Sequence, residues 1–92
     1  MAHQGETHPR QLTLERLGLG QQAAVRSLDA ARAGQPVERA RQLADMGFVP
    51  GEAVRVLAAA WPGGDPIVVL VGGARFALRR AEAACVAVEV QP

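Results

Sequence analysis

The hydrophobic period of this chain changes once, around Gly47 to Gly51, and that change limits the folds open to it. Ahead of it, Val37, Ala40, Leu43 and Ala44 cluster on one side of a helical wheel, and Glu38, Arg39, Arg41, Gln42 and Asp45 take the rest. Pro36 suits the first turn of such a helix, because its missing N–H would have no partner there. Gly47 stands where a left-handed C-terminal cap is expected, and Pro50-Gly51 stops the helix from resuming. Beyond this point the period is two. In EAVRVL, Val54 and Val56 face one way and Arg55 the other. PIVVLV, ARFALR and CVAVEV are further short strand candidates, with WPGGDP as a loop and Gly72-Gly73 suited to a two-residue hairpin.

Upstream of the helix, AAVRSL (23–28) reads as a first strand. LTLERLGLG reads as a short helical turn capped by Thr13 and closed by Gly18 and Gly20. RAEAA fits one more short turn. Residues 1–10 are polar and aperiodic, which predicts a disordered tail ahead of one domain over 11–90. The expectation is a mainly β fold: a small barrel or strongly bent sheet of about five strands, with one short helix between the first and second.

At 92 residues the chain has room for one core, and a domain of this size buries only about 60–65% of its unfolded surface. Eighteen alanines and eleven valines supply most of the apolar content, against three aromatics, Phe48, Trp61 and Phe76. The core must therefore be built from small side chains. Closing the sheet would also protect valine-rich edges, and edges left open would admit a homodimer.

Composition excludes several functions. Ten basic residues oppose nine acidic ones, so the surplus expected of a nucleic-acid binder is missing. There is no lysine, which removes the phosphate-loop lysine and Schiff-base chemistry. Gly18-Leu19-Gly20 lacks a third glycine, and Gly63-Gly64 precedes Asp65, which repels phosphate. His3 and His8 lie in the tail, where neither can be held as a general base for Thr7, Thr13, Ser27 or Cys85. Cys85 begins a valine-rich strand and reads as a buried, inert thiol. His3, Glu6 and His8 could ligate a metal chemically, but a frayed segment fixes no geometry. The longest aliphatic run, Ile67 to Val71, is far too short to span a bilayer. No catalytic, cofactor or metal site is expected, and no direct membrane insertion. Arg75, Arg79 and Arg80 form one small basic patch, and Arg32, Arg39 and Arg41 another; both read first as solvated faces.

The string RQLADMGFVPG, residues 41–51, resembles the helix-and-turn signature of the FeoA family, small cytosolic accessory proteins of bacterial ferrous iron transport. Gly64-Asp65-Pro66-Ile67 resembles that family's entry into its third strand. Ala77-Leu78-Arg79-Arg80 with Glu82-Ala83 resembles its approach to the last strand. The resemblance covers roughly residues 11–90. The chain departs from the pattern in its N-terminal tail, in alanines over 29–35 where relatives often carry glycine, and in Gly72-Gly73.

The resemblance implies an SH3-like barrel and a protein partner, the membrane ferrous iron transporter FeoB with its cytosolic GTP-binding domain. It implies a cytoplasmic, non-enzymatic modulator recruited to the inner face of the membrane by that partner. The expected contact surface is the helix-to-strand corner, Leu43, Met46, Phe48, Pro50 and Gly51, with Arg79 and Arg80 as charged contacts. A similar barrel forms the C-terminal domain of DtxR-family metal-dependent repressors. The alternative is thus a stand-alone metal-responsive module, though the chain carries neither a helix-turn-helix nor a ligand cluster on its predicted elements.

Overall fold

The computed structural model describes residues 10–31 and 33–90. Six strands form one antiparallel sheet: β1 (Arg10–Thr13), β2 (Gln22–Leu28), β3 (Ala53–Ala59), β4 (Ile67–Val71), β5 (Ala74–Leu78) and β6 (Val86–Val90). Their spatial order is β1-β6-β2-β3-β4-β5. Helix α1 (Pro36–Met46) joins β2 to β3, and the short helix α2 (Arg80–Ala83) lies between β5 and β6.

Among the described residues the strand count is six rather than about five. The additional strand is β1, which pairs with β6 from Arg10↔Val90 to Thr13↔Ala87. Four residues without an alternating apolar pattern carry no strand signal of their own; β6 supplies the ladder that orders them. Arg10 accordingly belongs to the sheet and not to the tail, whose residues 1–9 lie outside the described residues. Leu14–Arg16 form the expected short turn as a 3-10 helix, but the Thr13 side chain makes no capping hydrogen bond.

The sheet bends at irregularities in two strands. The β2–β6 register shifts between Val25 and Ser27, and the β3–β4 register between Val56 and Ala58. An extra residue at each point increases local twist and turns the strand, so a small sheet can wrap around its own core. Gly20 reinforces the second bend, its N–H donating to the Val56 carbonyl at 2.7 Å. Period two is realised as expected: Val54, Val56, Ile67, Val69, Val71, Val86 and Val88 are buried, whereas Arg55 is exposed. Phe48, fully buried, is the largest side chain of this core. Burying one such apolar side chain contributes about 1.5–3 kcal/mol.

The β4–β5 hairpin turns through Gly72 and Gly73 at φ 58° and 78°. Positive φ at both central residues defines the turn whose twist matches the flanking strands, and glycine adopts it without a Cβ clash. Among the described residues the free edges of the sheet are β1 and β5, RQLT and ARFAL, neither of which contains valine. The valine-rich strands among these residues all lie inside the order, each paired on both sides.

Helix α1 begins with Pro36 in its first turn and ends at Gly47 in the left-handed region, φ 116°. Its apolar stripe is only partly used. Leu43 is 1% exposed, but Val37 is 73% exposed. A wheel gives the angular position of Val37 and not which turns of a short helix the sheet covers.

Candidate functional site

The corner between α1 and β3 is rigid because its backbone is tied on several sides. The Gly47 and Phe48 N–H groups donate back to Ala44 and Leu43, closing the helix. Gly51 N–H donates to the Val25 carbonyl, and Val25 N–H donates to the Glu52 carbonyl, each at 2.8 Å, which staples the turn to β2. Beneath this frame lie Leu43 and Phe48, at 1% and 0% exposure. These two expected contact residues support the surface from below and present no side-chain area to a partner. Met46 is half-buried against the core; Pro50 and Gly51 are exposed. The large hydrophobic side chain that faces solvent here, beside Pro50, is Val49, 42% exposed. Its position at the turn was visible in the sequence, but its outward direction depends on Phe48 taking the inward one.

Arg79 and Arg80 are not part of this corner. Gly47 sits against the turn end of the β4–β5 hairpin, where a Cβ at Gly47 would lie 3.7 Å from Val71 Cγ2. Val71 pairs with Ala74 and Ile67 with Leu78, so Arg79 follows the opposite end of the hairpin. Four residues of strand separate the ends by ~13 Å.

The two arginines also differ in role. Arg80 is a clasp. Its guanidinium donates to the Gly64 carbonyl at 3.3 Å and the Glu15 carbonyl at 3.1 Å, while its backbone N–H donates to Asp65 Oδ1. Those bonds join α2 to the 61–66 loop and the 3-10 turn, and they occupy donors that a partner would need. Arg79 has an exposed side chain with no hydrogen-bond partner among the described residues.

Sequence reasoning missed the pair that secures the other end of α1. Arg39 Nη1 donates to Glu82 Oε2 and to Gln42 Oε1, each at 2.7 Å, and Glu82 Oε1 accepts the Arg79 N–H at 2.9 Å. The residues stand 43 apart in sequence, and only the Gln42 contact has helical spacing. Beside this pair, a groove of about 610 Å³ is lined by Thr13, Asp29, Arg39, Glu82, Cys85 and small residues. Burial pushes the Cys85 thiol up, against the lowering effect of Arg39; Asp29, Glu82 and Glu15 add to the rise. The thiol contacts the Ala81 carbonyl at 3.7 Å. A buried, protonated thiol is a poor nucleophile and ligand. Among the described residues no cluster of three or more His, Cys, Asp or Glu side chains could hold a metal ion, and no helix is long and apolar enough to cross a membrane.

The architecture is that of a small SH3-like domain, mainly β with one principal helix. The chain belongs to the FeoA family, whose FeoA domain matches residues 12–90. A comparison with curated proteins finds no match. Among solved structures, it is similar to zinc-complexed Stenotrophomonas maltophilia FeoA, described as an SH3-domain protein proposed as a ferrous iron transport activating factor. The TM-score is 0.73 at 44% identity, covering 84% of this chain and 88% of that one. Chlorobium tepidum FeoA is similar at 38% identity, TM-score 0.71, with 86% and 70% covered. A manganese-dependent transcriptional repressor matches at 21% identity, TM-score 0.73, covering 94% of this chain and 45% of the repressor; that likeness concerns the fold alone.

Proposed function

We propose that this protein is a non-enzymatic accessory factor of bacterial ferrous iron transport, acting in the cytoplasm by contact with the transporter FeoB at the inner face of the membrane. Family membership over residues 12–90 is the observation that carries this reading. The corner supports it physically. Met46, Val49, Pro50 and Gly51 cap a fully buried Leu43–Phe48 base, so they can be presented with little ordering cost on binding. Such a surface modulates a GTP-dependent switch or a cytosolic gate only if it binds one state more tightly than the other.

The test is a titration against the cytosolic GTP-binding domain of FeoB, with and without a GTP analogue, followed by the full transporter in detergent. Saturable, nucleotide-dependent binding that Val49→Glu abolishes is the expected result. Absence of binding to both forms overturns the reading.

A further inference from the structure

The open edge of β5 combines unpaired backbone groups with exposed arginines. In a two-residue hairpin the residues flanking the turn exchange hydrogen bonds, and pairs then alternate along the ladder. Val71↔Ala74, Val69↔Phe76 and Ile67↔Leu78 are therefore the bonded pairs, and Leu70↔Arg75 and Val68↔Ala77 are not. The N–H and C=O groups of Arg75 and Ala77 consequently point away from β4, toward the free side. No turn, loop or cap hydrogen bond among the described residues uses them.

Arg75, Ala77 and Arg79 also share the outward face by period two, and all three are exposed. Neither Arg75 nor Arg79 has an acidic partner among the described residues. No acidic residue occurs in β4 or β5.

An unpaired edge with two cations on one face selects its occupant by charge. A second copy of this chain is a poor candidate. Pairing β5 with β5 sets arginine near arginine, and pairing it with the other edge strand brings Arg10 to the same ladder. Like charges across a ladder are destabilising, the device by which edge strands avoid self-association. The same charges favour a strand with carboxylates at alternate positions. We infer that the free edge of β5 is a strand-pairing site for an extended acidic segment of a partner protein, with Arg75 and Arg79 reading its carboxylates and the Arg75 and Ala77 backbone supplying the ladder. This rests on the proposed mode of action by protein contact and adds the chemistry of the contact; it does not require the α1–β3 corner to take part.

The probe is a short labelled peptide alternating glutamate with valine, followed by fluorescence polarisation, with an arginine–valine peptide as control. The acidic peptide binds saturably, more weakly as salt rises, and shifts the amide resonances of residues 74–79. R75E combined with R79E weakens it by about tenfold or more, the scale expected when two cross-strand charge pairs are reversed. Ala77→Pro removes an edge N–H that the β4 ladder does not use, and it abolishes binding without changing the β4 amide resonances. Should that variant not fold, the charge reversals decide. Equal binding of both peptides, no effect of R75E with R79E, shifts confined to the α1–β3 corner, or a concentration-dependent dimer formed through β5 would each overturn the inference. FeoB binding without peptide binding would remove the strand-pairing site and leave the accessory role standing.

Discussion

Arg39 Nη1 stands 2.7 Å from Glu82 Oε2, so the first half of α1 is held to α2 by an ion pair, while the Gly47 cap at its far end lies beside Val71. Since the two side chains are 34% and 26% exposed, solvent screens the pair and its worth is modest. Glu82→Gln is expected to cost about 1 kcal/mol in urea denaturation. A cycle with Arg39→Gln should show the two losses to be non-additive. Additive losses would mean that the pair does not couple α1 to α2.

Gly47→Ala tests the corner. A Cβ there meets Val71 at an ordinary contact distance, so the cost lies in the backbone, held at φ 116°. About 1–2 kcal/mol of stability should be lost. A neutral result would show that the turn can adopt another conformation without penalty.

Substitutions around Gly47 should separate folding from binding. Phe48→Ala opens a cavity at a fully buried position and is expected to cost about 3–5 kcal/mol, a large share of the stability of so small a domain. Val49→Glu changes an exposed side chain, so circular dichroism and melting temperature should stay close to those of the unsubstituted protein while FeoB binding is lost. Met46→Glu sits between the two, because Met46 is half-buried against the core and its replacement disturbs both. A Val49→Glu variant that binds normally would move the contact away from the corner.

Alkaline pH isolates Cys85. The chain has no lysine and no tyrosine, and arginine stays charged, so this thiol is the one side chain titrating between about pH 8 and 12. Burial raises its folded-state pKa above the ordinary value of 9.0. The unfolded chain therefore releases the proton first, and above that value the unfolded state binds fewer protons than the native one. Stability is fully present below about pH 9 and is lost as pH rises through the folded value. Cys85→Ala should flatten that slope. An identical decline in the variant would place its cause elsewhere.

Much of this architecture was legible in short-range patterns. Period two marked β3 to β6, Gly72-Gly73 marked the hairpin turn, and Pro36 with Gly47 marked the ends of α1. These features are written locally, in φ preferences and in the alternation of side chains along a strand. Strand β1 was not legible, since four residues without alternation become a strand only where β6 offers free backbone groups.

The sequence by itself determined a small mainly β fold, its turns, the boundaries of its main helix, and the absence of lysine chemistry. Tertiary structure alone decided which residues of the corner face outward, that Arg80 is spent as a clasp while the Arg79 side chain has no hydrogen-bond partner among the described residues, and which strands form the edges. Each of those depends on pairings between residues far apart in the chain, such as Arg39 with Glu82 and Arg80 with Glu15, and local propensity carries no information about them.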